Sequence, residues 1–594
     1  MMIRILLCAA LMACLSFPAI AADTPASPDP AKVELHWGQK IPLRDGVHLN
    51  ATVYLPKDAK EPSPCVFTLT PYVSDTYHDR GMYFAAHGYP FLLVDVRGRG
   101  NSEGTFTPFL QEAHDGYDVV EWLAKQPYCN GKVTMWGGSY AGYDQWQTAK
   151  EFPPHLATIV PVASPYPGTD YPMTRNIPVS YAMQWLTDVS GHAAQDKMFG
   201  DGAFWTAKEI EWFKSGQPFR DLDRIIGNPS PTFQEWLDHP MVDAYWDSFN
   251  PGPEQYARIN LPILTITGMY DGDQLGAMTH YNLHMKYASA EARDRHYLVI
   301  GPWDHAGTRT PTDHLGWYKF GPAALVDLPK LHLDWYAWTM QGGPKPAFLK
   351  KRVAYYVTGK DAWRYADTLA GVTAQMRPLH LDSVAGRAND PFASGSMDAK
   401  PGRGEPDHYR SDPSDLTNVA IEADPTDNGT LDQQGVLTPG VTELVYHSAG
   451  FAEDTEVSGN FRLTAWLAID QPDTDFHIAV FDVAPDGGSV FLTEDSMRAR
   501  YRESPREAKL VTERGPLRYE FDQFNFVSRV IAKGHRLRLV ISPTNSSGEE
   551  QNHNSGGVVA DETAKDGRPV TVKVFHDAEH PTTLFVPIGQ PEAK

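Results

Sequence analysis

Short, almost wholly apolar runs recur through the first half of the chain, and each is cut off by a polar or glycine-rich turn. Residues 33–37 and 47–55 predict two antiparallel strands joined through Arg44-Asp45-Gly46, a turn signal. Residues 65–70, 91–96 and 132–136 are three more strand-length runs. Between them, 82–87 reads as a short helix closed by Gly88, and 113–125 has helical spacing. Strands alternating with helices predict a parallel sheet. From about 168 to 258 the alternation stops, Trp and Tyr become frequent and Pro punctuates, which predicts a helical cap inserted between sheet strands. Alternation returns at Leu261 and closes with a helix over 328–340. Beyond it, short strands such as 352–357, 461–469, 476–483 and 537–541 follow one another without helices, the pattern of a β-sandwich. Residues 384–440, rich in Asp, Gly and Pro, predict long loops. The expected domains are 33–345, with its cap, and 346–590.

Three reactive side chains stand just past predicted buried strands. Ser139 follows 132–136 within Gly137-Gly138-Ser139-Tyr140-Ala141-Gly142. Asp271 follows the run 261–268, and His305 follows 296–300 through Gly301-Pro302-Trp303-Asp304. In an open parallel sheet, chemistry sits at the carboxyl ends of strands. The order Ser, Asp, His is that of an α/β-hydrolase triad. An unactivated serine is a poor nucleophile, so a base is required. His305 is placed to be that base, and Asp271 to orient its imidazole. Asp273 and Asp304 are rival acids; Asp271 comes first after its strand. Small residues around Ser139 permit the tight strand-to-helix turn that lifts its hydroxyl clear, although Ala141 replaces the usual glycine.

The remaining composition narrows the function classes. Lys+Arg 52 against Asp+Glu 74 gives a net charge of −22, which repels phosphate backbones and argues against nucleic acid as a partner. Met1 to Ala21 has a short positive start, an apolar stretch and the small-residue site Ala19-Ile20-Ala21, so residues 1–21 predict a signal peptide and an exported protein without a membrane anchor after its removal. Of four cysteines, Cys65 and Cys129 remain beyond that segment, on strands expected to be neighbours; a disulfide and two buried thiols are both open. No His/Cys/Asp cluster has metal-ligand spacing, so neither a metal nor another cofactor is expected. The glycine-rich run from Arg97 to Gly104 lacks the Lys-Ser/Thr of a phosphate loop and reads as structural.

Several segments together resemble the X-Pro dipeptidyl-peptidase (S15) group, which includes cocaine esterases, α-amino-acid ester hydrolases and glutaryl-cephalosporin acylases. They are Ile41-Pro42-Leu43-Arg44-Asp45-Gly46-Val47, Thr70-Pro71-Tyr72, Asp95 to Gly104, Cys129 to Gly142, Tyr270-Asp271-Gly272, Gly301 to His305 and Pro472-Asp473-Thr474-Asp475-Phe476. The resemblance implies an α/β-hydrolase sheet with an inserted helical cap and a C-terminal jelly-roll sandwich bordering the active site. It implies a triad of Ser139, Asp271 and His305, and an oxyanion hole from the Tyr72 hydroxyl and the Tyr140 N–H. Tyr72 also ends a strand next to that of Ser139, where a phenol can reach a carbonyl held over the nucleophile. In the similar α-amino-acid ester hydrolases, carboxylates bind the substrate's α-ammonium. Two of these positions fall on Asp273 and Gln274, one acid kept and one replaced by an amide, and a third falls on Asp170. The expected activity is hydrolysis of small esters, amides or short peptides through an acyl-enzyme, with a preference for a free α-amine. A general carboxylesterase or acylase is the alternative, and a non-catalytic binding module the more distant one.

Overall fold

The computed structural model describes residues 29–591 except 317, 385–386, 391–393, 418 and 420–441. The expected signal peptide and part of the 384–440 loops lie outside the described residues. Val33–Pro42 and His48–Pro56 form an antiparallel pair, and the second strand edges Phe91–Asp95. From there the sheet runs parallel: Phe91–Asp95, Ser63–Thr70, Cys129–Met135, then Leu156–Thr158. Two of these strands break and continue, as Gly137–Gly138 and Pro161–Val162, and the continuations carry the sheet on to Ile263–Tyr270 and His296–Asp304. Phe91–Asp95 is buried throughout, as a strand covered on both faces must be.

One expected assignment is corrected. Val353–Val357 does not belong to the sandwich. It pairs in parallel with His296–Asp304 and antiparallel with Ala362–Ala366, so the catalytic sheet extends to Ala366. A short strand run followed by a turn looks the same in either sheet, and sequence alone does not reveal its partner.

Helices cover both faces. His78–Ala86 begins four residues before the expected 82, and Gly88, at φ 91, lies just past its end. Between Ala163 and Leu261, a small hairpin (Met173–Thr174 with Ile177–Pro178) leads into helices that include Tyr181–Asp188, Gly202–Ser215, Pro231–Leu237 and Pro253–Arg258. Their buried aromatics, among them Trp205, Trp212, Phe233, Trp236 and Trp246, pack with Phe109, Tyr140 and Tyr143 into one cluster over the sheet edge. Thus the Trp-rich composition that marked the cap is its core. Among the described residues no helix is long and apolar enough to cross a membrane.

Among the described residues after Ala366, 13 strands from Thr373–Asp382 to Thr583–Gly589 form one hydrogen-bonded network around a main apolar core that includes Leu463, Phe476, Ile478, Phe521 and Leu539, with a smaller cluster at Val445, Ala479, Phe481, Val483 and Val540. The network is tied to the catalytic sheet by a parallel bridge, with Thr358 N–H donating to Ser528 O and Val530 N–H to Thr358 O, both at 3.0 Å. Cys65 and Cys129 lie on paired strands at the end away from Ser139 and are free thiols. Burial raises the Cys65 pKa, while the hydrogen bond with Cys65 lowers that of Cys129.

Candidate active site

Across the carboxyl edge of the sheet, neighbouring strands end at Tyr72, Ser139, Asp271 and His305 in that spatial order, with the strand 156–162 between the second and third. Ser139 heads the helix Tyr140–Lys150 at φ 61, ψ −130, a sparsely populated conformation for a non-glycine residue. The surroundings over-determine it. Ser139 N–H lies within hydrogen-bonding reach of both Val162 O, at 3.0 Å, and Ala163 O, at 3.1 Å. Gln145 Nε2 donates to Gly137 O and Val160 O, while Gln145 Oε1 accepts from Val160 N–H. At Gly137, φ 151, an added Cβ would come within 2.4 Å of Ala141 Cβ, so the turn leaves no room for a side chain there. Ala141 therefore fits where the usual glycine is missing.

His305 Nδ1 and Asp271 Oδ1 are 2.8 Å apart. The Asp271 side chain is fully buried, and it also accepts from Asp273 N–H at 3.0 Å, whereas the His305 side chain is 38 % exposed. The carboxylate is thus shielded and the imidazole open to the cleft. Burial works against a charged imidazolium, but Asp271 and then Asp273 outweigh it and raise the His305 pKa. Asp304, the weaker rival, accepts from Gly307 N–H at 2.7 Å and shapes the turn beyond the strand.

The Tyr72 hydroxyl lies 3.5 Å from Ser139 Oγ. Trp185 Nε1 donates to that hydroxyl at 3.1 Å. A donor on the phenol oxygen leaves its proton free to point toward a bound carbonyl. Tyr140 N–H opens a helix, so it has no intrahelical acceptor. Arg99, fully buried, donates to Pro71 O at 2.6 Å and Asp188 O at 3.3 Å, tying the Tyr72 loop to the cap. The glycine-rich run is therefore a clamp. Trp185 carries no motif that would have singled it out, and Arg99 stands out in the sequence only as part of the structural run 97–104.

The three substrate-side positions fare differently. Asp170 is buried, and its two oxygens accept from Tyr166 N–H at 2.8 Å and Gly276 N–H at 2.7 Å. Burial, then the nearby Asp273, holds its carboxyl well above the usual range. Gln274 faces away from the cleft and bonds the backbone of Phe526, its Nε2 donating to O at 3.1 Å and its Oε1 accepting from N–H at 2.6 Å. A carboxylate could not donate, so the amide suits this docking role. Asp273 Oδ2 stands 3.6 Å from His305 Nδ1. Burial pushes its carboxyl up to about 7; His305 pulls against the shift and Asp271 adds to it. Asp271, Asp273 and His305 bring potential ligand atoms within 4.8 Å of one another, but two of those atoms already share the 2.8 Å His–Asp bond, and we read the trio as that hydrogen-bonded pair with a flanking acid.

Residues 45–307 match the X-Pro dipeptidyl-peptidase (S15 family) and residues 349–584 its C-terminal non-catalytic domain. The chain belongs to the S15 family. Cocaine esterase from Rhodococcus sp. (strain MB1 Bresler) is 27% identical over 574 residues, spanning 92% of this chain and 97% of that one. An α-amino acid ester hydrolase structure aligns with 97% of this chain and 100% of its own at TM-score 0.79 and 21% identity. An aminopeptidase from a marine sediment archaeon, Thaumarchaeota archaeon, aligns with 98% and 100% at TM-score 0.80 and 21% identity. These structures share the fold: an α/β-hydrolase sheet with a helical cap and a C-terminal jelly-roll sandwich. S15 membership makes the protein a serine hydrolase of esterase or peptidase type.

Proposed function

We propose that this is an exported serine hydrolase that cleaves esters or amides of substrates bearing a free α-amine. The observation that carries the mechanism is the 2.8 Å His305–Asp271 pair beside a strained Ser139 whose hydroxyl faces Tyr72. Ser139 Oγ attacks the carbonyl carbon while His305 Nε2 takes its proton. Asp271 holds the Nδ1–H and stabilises the imidazolium. The oxyanion accepts from the Tyr72 hydroxyl and Tyr140 N–H, donors already in place before charge develops. His305 returns the proton to the leaving group, and water then repeats the attack on the acyl-enzyme. The apolar stretch before Ala21 supports export.

The α-amine preference rests on Asp273. A carboxyl whose ionisation is suppressed by burial and by neighbouring acids gains most from a cation placed against it. Tyr171 contacts Tyr181 and Trp185 edge to face, and Trp185 reaches the Tyr72 hydroxyl, so aromatic rings suited to an ammonium stand beside Tyr72. One observation favours the second reading, a plain carboxylesterase: both Asp170 oxygens already accept backbone N–H bonds, which leaves Asp273 to act alone. The test compares an aminoacyl ester with its N-acetylated form at pH 8, in wild type and Asp273→Asn. The proposal expects acetylation to lower kcat/KM by about tenfold or more in wild type and much less in the variant. Equal rates for the two esters in wild type would leave the carboxylesterase reading.

A further inference from the structure

One cation near the hydrolytic residues has no role in the mechanism above. Arg309 lies one turn beyond His305, and its Nη1 reaches the elbow: a Cβ built on Gly138, the residue before Ser139, would sit 2.7 Å from it. That Nη1 is buried and, among the described residues, makes no hydrogen bond. His332 Nε2, on the helix Leu328–Gln341, is likewise buried and without a partner. Both residues line a cavity of about 10 Å³, together with Arg80, Trp136, Gly137 and Val162. The volume is about what a single water needs. The two orphaned atoms are complementary. His332 Nδ1 lies 2.8 Å from Leu328 O, which leaves Nε2 as an acceptor, and burial pulls the ring's pKa down to about 4, so it is neutral. Arg309 supplies the donor.

The geometry points to Arg309 as a positioning residue: seated against the backbone before Ser139 and pinned to His332 through one buried water, its guanidinium is a fixed cation behind the elbow, within electrostatic reach of His305 and the Tyr72 hydroxyl. The inference rests on the serine-hydrolase reading. The groups around His305 are Asp271 and Asp273 from the loop after Ile263–Tyr270, and Arg309 from its own segment. Around Arg309 stand Arg80 and Tyr77 from the segment before Phe91–Asp95, Tyr72, Asp273, and Tyr181 from the cap. Arg80 Nη2 donates to Arg309 O at 3.3 Å and holds the loop. The two acids favour the imidazolium; burial, and after it the guanidinium, opposes them, so Arg309 adds to what keeps the base available. The same charge favours negative charge developing near the Tyr72 hydroxyl.

The test is the pH profile of kcat/KM in Arg309→Gln, Arg309→Leu and Arg309→Lys, each checked for folding by its melting temperature. In either neutral variant that folds, the acidic limb moves to higher pH by roughly half a unit or more, and kcat falls about tenfold. Arg309→Lys keeps the limb in place. An unmoved limb in a folded neutral variant overturns the inference, as does an equal shift in Arg309→Lys, which would make the effect one of packing. Ser139→Ala separates the two claims. If it is inactive while the limb stays put, only the Arg309 inference falls; if it remains active, the serine mechanism falls first.

Discussion

In the C-terminal sandwich, Arg498 lies against Asp475 through two bonds of 2.9 Å and against Glu550 at 2.6 Å. Arg500 pairs with Asp473 at 2.7 Å, and Asn552 Nδ2 bridges Asp473 and Asp475. At the hydrolytic edge, Asp271 and Asp273 flank His305, with Asp170 near Asp273, and among the described residues the ion-pair partner of Asp273 is His305 at 3.6 Å. The first cluster is shielded from water, and the second opens to the cleft at His305. In the first, each acid has a hydrogen-bonded cationic partner, and the group fixes structure. In the second, among the described residues, Asp273 meets His305 only at 3.6 Å and the Asp170 oxygens accept only backbone N–H bonds, a deficit that a reacting or cationic ligand can relieve. The Pro472-to-Phe476 segment that carries the family resemblance thus contributes the acidic half of a structural ion-pair network.

That contrast can be broken from either side. Asp475→Ala leaves Arg498 short of a partner and is expected to cost about 3–5 kcal/mol in urea denaturation, with kcat of the folded enzyme within about twofold of wild type. A loss in kcat with stability intact would move this cluster into the catalytic class. Tyr72→Phe removes one oxyanion donor and keeps the ring. It is expected to lower kcat by about 10²–10³ with KM little changed. A rise in KM alone would make Tyr72 a substrate-binding group instead.

A smaller effect follows from Asp273. Its carboxyl is raised to about 7 in the folded protein, so the folded chain keeps a proton that the unfolded chain releases near pH 4. Stability is therefore lost as pH climbs through that window and stays lower above it. Asp273→Asn is expected to melt higher than wild type at pH 8 and alike at pH 4. Equal melting temperatures at both would mean the acid carries no electrostatic strain, and the two clusters would differ less than their geometry indicates.

The parallel strands are legible because each is a short buried run between turn residues, although their order in the sheet is not, and Ser139, Asp271 and His305 are legible because each follows such a run. Tyr72 was legible for the same reason. The run 352–357 reads as a sandwich strand yet pairs with His296–Asp304, since apolar pattern records burial and not the identity of the neighbouring strand. Gln274 read as a lost carboxylate, but its amide binds the Phe526 backbone, a long-range contact invisible in a local motif. Trp185 and Arg309 act through partners far from them in the chain, Tyr72 and His332 among the nearest in space, and no periodicity marks such pairs.

The central claim is that Ser139 is the nucleophile made reactive by His305 and Asp271. The direct measurement is intact-protein and peptide mass spectrometry after exposure to a fluorophosphonate, which captures an activated serine. One adduct per chain is expected, on the peptide containing Ser139, with labelling and turnover both lost in Ser139→Ala at an unchanged melting temperature. An adduct on another residue, or a Ser139→Ala protein that still labels or turns over within about tenfold of wild type, would contradict it.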